Sequence, residues 1–107
     1  MENNVINKTG LTPYMPVSSI KTALREKSQE LRIKYEVRSM FFFDGEENII
    51  YIVTNDPWNW IGKNGQDVED LTNQCNHYID LYNETHKDYT DFQKEHIKIN
   101  FIEADYL

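Results

Sequence analysis

An α+β domain, a three-stranded sheet with its helices packed on one face, is the fold the sequence predicts. Three observations carry it: an apolar stripe at helical spacing from Ile20 to Leu31, a change to two-residue alternation beyond Arg32, and a second helical stripe from Val68 to Tyr82. The second stripe begins just after Gly62-Lys63-Asn64-Gly65, two glycines bracketing a turn. At 107 residues one domain is the natural count, able to bury about two thirds of its unfolded surface without staples.

Residues 1–17 contain Gly10, Pro13 and Pro16 and keep no period, so an irregular arm is expected there, with the domain over 18–107. Ser18 or Ser19 suits an N-cap, and Ile20, Ala23, Leu24 and Leu31 share one stripe of a helix running to about Glu30. From Arg32, Ile33, Tyr35 and Val37 alternate with Lys34, Glu36 and Arg38, predicting a strand with one wet face. Met40-Phe41-Phe42-Phe43 is apolar on both faces, so that end is covered on both sides or packs on a neighbour. Asp44–Asn48 reads as a turn and Ile49–Thr54 as a second strand, antiparallel to the first.

Asn55-Asp56-Pro57 closes that strand and starts a short helical turn, with Pro57 in the first-turn position where its missing N–H costs nothing. After the glycine loop, Val68, Leu71, Cys75, Tyr78, Ile79 and Tyr82 step by three and four to an end near Asn83–His86. Thr85–Glu95 is polar, with a short helical turn around Phe92. Ile97, Ile99 and Phe101 alternate with Lys98 and Asn100 in a third strand ending near Glu103. A right-handed return brings it parallel to the second strand, with the far side of the first strand among its places.

The net charge of −7 is unevenly placed. Residues 1–66 hold eight acids and eight Lys/Arg, whereas 67–107 hold ten acids and only Lys87, Lys94 and Lys98. A polyanion is repelled by the second part and tolerated by the first, so RNA contact falls to Lys21, Arg25, Lys27, Arg32, Lys34, Arg38 and Lys63. Gly62 and Gly65 let a backbone approach closely, and amides at a helix N-terminus suit phosphate. Asp67, Glu69 and Asp70 suit the same helix end and compete for it.

Other chemistries are poorly served. Cys75 has no partner for a disulfide, and no apolar run approaches the ~18 residues of a membrane span. His77, His86 and His96 have no zinc-like spacing with each other or with Cys75, and no nucleophile with a base is legible. No catalytic residue, metal or cofactor is expected.

The element order and the run Pro57-Trp58-Asn59-Trp60-Ile61-Gly62-Lys63-Asn64-Gly65-Gln66-Asp67-Val68-Glu69-Asp70-Leu71 together resemble the type II KH domain, α-β-β-α-(GxxG)-α-β. They resemble most closely the N-terminal KH half of the third small-subunit ribosomal protein family, whose last KH strand Ile97–Glu103 also looks like. The resemblance implies that Gly62, Lys63, Asn64 and Gly65 clamp the backbone of single-stranded RNA, with Ile61 as core beneath the loop. Trp58 is placed to stack on a base or a partner and Trp60 to be core, while Lys21, Arg25 and Arg32 add cations. Three positions depart from the family: Asn64 replaces a frequent basic residue, Asp56 a frequent Arg and Trp58 a frequent Gly.

The implied function is an RNA-binding structural constituent of a small ribosomal subunit. Its partners are rRNA and neighbouring ribosomal proteins; the family's second domain does not follow before Leu107, so that half is a separate chain, is lost, or the module is a KH domain of another kind. Abundant Asn, Ile, Lys, Tyr and Phe suit an AT-rich organellar genome, which points to the mitochondrial matrix, with the cytoplasm as the alternative. The competing reading is an acidic non-ribosomal binding or inhibitor protein, for example from a mobile element. On the RNA reading, Gly62→Asp with Gly65→Asp abolishes RNA contact while the domain stays folded.

Overall fold

The first helix runs further in both directions than its apolar stripe requires. The computed structural model describes residues 11–105, and side chains over 18–105; α1 spans Leu11–Tyr35. It therefore takes in 11–17, read from sequence as irregular arm; the rest of that arm, 1–10, lies outside the described residues. Pro13 is no obstacle, because it falls among the first four positions, whose N–H groups have no partner within a helix.

At the other end, the strand expected over Arg32–Val37 is instead the last turn of α1 and its exit. Leu31 continues the buried stripe of Ile20 and Leu24, whereas Ile33 and Tyr35 swing away from it and are 72% and 54% exposed. Continuing an existing helix adds a hydrogen bond for each residue fixed, and this outweighs the short alternating pattern. Glu36 closes the helix in a left-handed conformation (φ 58°), its N–H donating to the Arg32 carbonyl at 2.9 Å.

The strands are β1 (Ser39–Asp44), β2 (Ile49–Thr54) and β3 (Lys98–Glu103), in the spatial order β1-β2-β3. β1 and β2 are antiparallel, with Phe41 opposite Ile52; β2 and β3 are parallel, with Ile52 opposite Phe101. The parallel return is as expected, but β3 lies beside β2 rather than beyond β1. β2 is the strand with least polar surface, and the middle of the sheet hides both its edges.

α2 (Pro57–Ile61), α3 (Gln66–Thr85) and α1 cover one face of this mixed sheet. Ile20, Leu24 and Leu31 of α1 and Leu71, Cys75 and Ile79 of α3 meet Ile50 and Ile52 there in one buried cluster. Phe41, Ile99 and Phe101 flank it. Trp60 of α2 sits in the same core, fully buried, so its truncation would cost about 3–5 kcal/mol. Expectation and structure agree on these residues.

The opposite face is not covered by any described element. Met40, Phe42 and Ile102 are 44%, 53% and 47% exposed, so the described residues do not cover the Met40–Phe43 run on both sides. Strand alternation forces this: with Phe41 turned to the helices, its neighbours must face away.

Candidate nucleic-acid interface

Local chemistry fixes where the glycine loop emerges. Asp56 caps α2, its Oδ1 accepting from the Asn59 N–H at 3.2 Å and its Oδ2 from Asn59 Nδ2 at 2.7 Å, with Pro57 as the first helical residue. Trp60 Nε1 donates to Ser39 Oγ at 2.9 Å, and its ring stands edge-on to Phe41 at 5.8 Å. These contacts pin α2 to the sheet, so Gly62 begins from a rigid base. Trp58 points outward, 73% exposed.

The two glycines serve different ends. Gly62 has φ 81° and ψ 174°, a backbone region that glycine alone occupies readily. A Cβ there would lie 2.5 Å from Asp67 Cγ and 2.6 Å from Asp67 Cβ. Gly65 is left-handed (φ 74°) with open space where a Cβ would be. Between them Asn64 is also left-handed (φ 57°), a conformation its short polar side chain tolerates. The Gly62 N–H donates to the Trp58 carbonyl and the Gly65 N–H to the Gly62 carbonyl, so both are committed within the loop. Lys63 and Asn64 are exposed, and Ile61, expected as core, is only half-buried.

Asp67 therefore sits against Gly62 in the first turn of α3, at the positive helix end. This alters the expectation for paired glycine substitutions. Gly65→Asp has room, but Gly62→Asp drives a second carboxylate into Asp67 and disturbs the fold as well as any ligand.

Around the loop the charge is sorted by α1. A crevice of about 260 Å³ between α1 and α3 is lined by Glu26, Glu30, Asp67 and Asp70, with Lys27 as its cation. Lys27 Nζ lies 3.7 Å from Glu30 Oε1 and 3.9 Å from Asp67 Oδ2. On the other flank of α1, Arg25 and Arg32 line a groove with Arg38 and Ser39, and Lys21 lines an adjoining apolar crevice with Phe41–Phe43. The sequence-predicted residues thus fall into two groups. Trp58, Gly62, Lys63, Asn64 and Gly65 belong to the loop end of α3, and Lys21, Arg25 and Arg32 to the β1-facing flank of α1.

Sequence reasoning had Arg38 as one cation among several and missed its grouping with Arg25 and Arg32. That grouping depends on the left-handed turn at Glu36, which no glycine signals.

Elsewhere little reactive chemistry is available. Burial pushes the Cys75 thiol up to about 11, and it raises the Tyr82 phenol as well. Among the described residues, no three His, Cys, Asp or Glu side chains gather to hold a metal, and no helix is long and apolar enough to cross a membrane. Compared with models of protein families, with curated proteins and with solved structures, the chain matches none.

Proposed function

We propose that the chain is an RNA-binding structural constituent of a small ribosomal subunit, built on a type II KH-like fold. In this reading it is equivalent to the N-terminal KH half of the third small-subunit ribosomal protein and works in the mitochondrial matrix. The observation that carries the reading is the Gly62–Gly65 loop held between α2 and α3 in the order α-β-β-α-α-β, with the last strand parallel to the middle one. Lys63 and Asn64, exposed on that loop, meet the phosphodiester backbone, and Trp58 stacks on a base or packs on a neighbouring protein. Asp56, at a position where the resembling family often has arginine, is used as a helix cap, so the loop works with fewer cations than is usual.

A second reading is favoured by one specific feature: Asp67 fills the space against Gly62, and the crevice behind it is acidic. An acidic non-ribosomal binding protein would keep the loop purely as a turn. Two measurements separate the readings. The native protein is expected to co-sediment with a small ribosomal subunit. Lys63→Asp with Asn64→Asp, both exposed and with Asp also able to take the left-handed backbone at position 64, is expected to weaken single-stranded RNA binding about tenfold or more. A protein found only in a free pool, with unchanged RNA affinity in the double variant, decides for the second reading.

A further inference from the structure

Three arginines line one groove in a chain that is otherwise strongly acidic. Arg25 and Arg32 come from the flank of α1, Arg38 from the connection into β1, with Ser28, Gln29 and Ser39 between them. The groove holds about 380 Å³, and its apolar lining is Val37 and Phe41. Among the described residues none of the three arginines has a carboxylate within ion-pair distance, although Lys27, Lys34 and Lys87 all do. The groove lining includes no Asp or Glu. Like charges held together without counter-charge are unfavourable in the free protein, which makes the site a ready acceptor for an anion.

The arrangement is also rigidly built. Arg38 is fixed through its backbone: its N–H donates to Asn55 Oδ1 at 2.8 Å, and its carbonyl accepts from Thr54 Oγ1 at 2.8 Å and from the Asn55 N–H at 3.3 Å. Thr54 is fully buried, and Ser39 Oγ joins it to the indole of Trp60. Arg32 is held by the last turn of α1, where Glu36 accepts a left-handed conformation costing about 1–2 kcal/mol. That strained residue turns the chain so that Arg38 comes back beside Arg32.

We propose that this groove is a second phosphate-binding surface, separate from the glycine loop, and that it takes the phosphodiester backbone of RNA. Planar guanidinium forks match phosphate oxygens, and the adjoining Ser28 hydroxyl and Gln29 amide complete such contacts without reading bases. The choice of RNA over an acidic peptide rests on the RNA-binding function proposed above. The acidic crevice across α1 repels a strand from that side and steers it to this one.

The test measures a short fluorescent oligouridylate binding to the full chain by anisotropy over a range of salt. It compares the wild type, Arg25→Gln/Arg32→Gln/Arg38→Gln, and a charge-matched control, Lys87→Gln/Lys94→Gln/Lys98→Gln. The arginine variant is expected to bind about tenfold or more weakly, with the salt slope reduced by about 2, while the control changes little. Retained thermal unfolding shows that the variants are folded. If the wild type binds RNA and the two triple variants behave alike, the groove proposal is overturned while the loop reading stands. If poly-glutamate displaces the RNA at equal charge, an acidic protein partner replaces RNA in the groove. If the wild type binds no RNA even at low salt, both proposals fall.

Discussion

The two ends of α3 are held in opposite ways. At its N-terminus the helix has no side-chain cap: Gly65 and Asn64 supply left-handed backbone, and Asp67 folds back against Gly62. From its middle to its C-terminus, two carboxamides do the work. Asn76 Oδ1 accepts from the Ile97 N–H at 2.8 Å while its Nδ2 donates to the Ile97 carbonyl at 3.2 Å. Asn83 grips Lys94 in the same two-handed way, at 2.8 Å for both bonds. One end trades side-chain capping for exposed backbone and leaves Lys63 and Asn64 free to meet a ligand. The other satisfies the backbone of the segment leading to β3 and so fixes where the parallel strand enters. Function is therefore expected at the first end, and only stability at the second.

The largest test of this contrast is Gly62→Ala. Positive φ costs about 1–2 kcal/mol and the overlap with Asp67 about 1–3 more, for a total near 3 kcal/mol in chemical denaturation. A loss below about 1 kcal/mol would mean that Asp67 does not pack against Gly62 in solution. Next is the pH dependence centred on Cys75, in the middle of α3. Its folded pKa is raised, so its contribution is fully present below the unfolded thiol value near 9.0 and is lost as pH rises toward about 11. Stability should fall by roughly 2–3 kcal/mol across that window, and Cys75→Ala should flatten that part of the profile.

Asn76→Ala should cost about 2 kcal/mol, because the Ile97 N–H and carbonyl lose their partners in a half-buried place. RNA affinity measured on the folded fraction should not change; an equal loss of affinity would break the division between the ends. The smallest effect is Gly65→Ala, about 1 kcal/mol for the left-handed backbone with no clash, and Gly65→Asn should recover most of it.

Much of this was legible in the residues. The stripes Ile20–Leu31 and Leu71–Tyr82, the two-residue alternation in β3, Trp60 as core and Pro57 at a helix start all follow from periods and caps that depend on near neighbours only. Arg32–Val37 misled because a short alternating run also fits the end of a helix whose stripe has just finished. Nor does the polar Thr85–Glu95 segment announce the amide clamps of Asn76 and Asn83. Their partners, Ile97 and Lys94, lie 21 and 11 residues away.

The sequence by itself determined the element types outside α1's two ends, the inward face of each long helix and the glycine turn before α3, since periodicity and φ preference are local properties of the chain. Tertiary structure alone decided that β2 lies in the middle, that Asp67 occupies the space beside Gly62, and that Arg38 joins Arg25 and Arg32. Each of these depends on which distant surfaces are buried together, and in the arginine groove on one left-handed residue, Glu36, that no local preference marks.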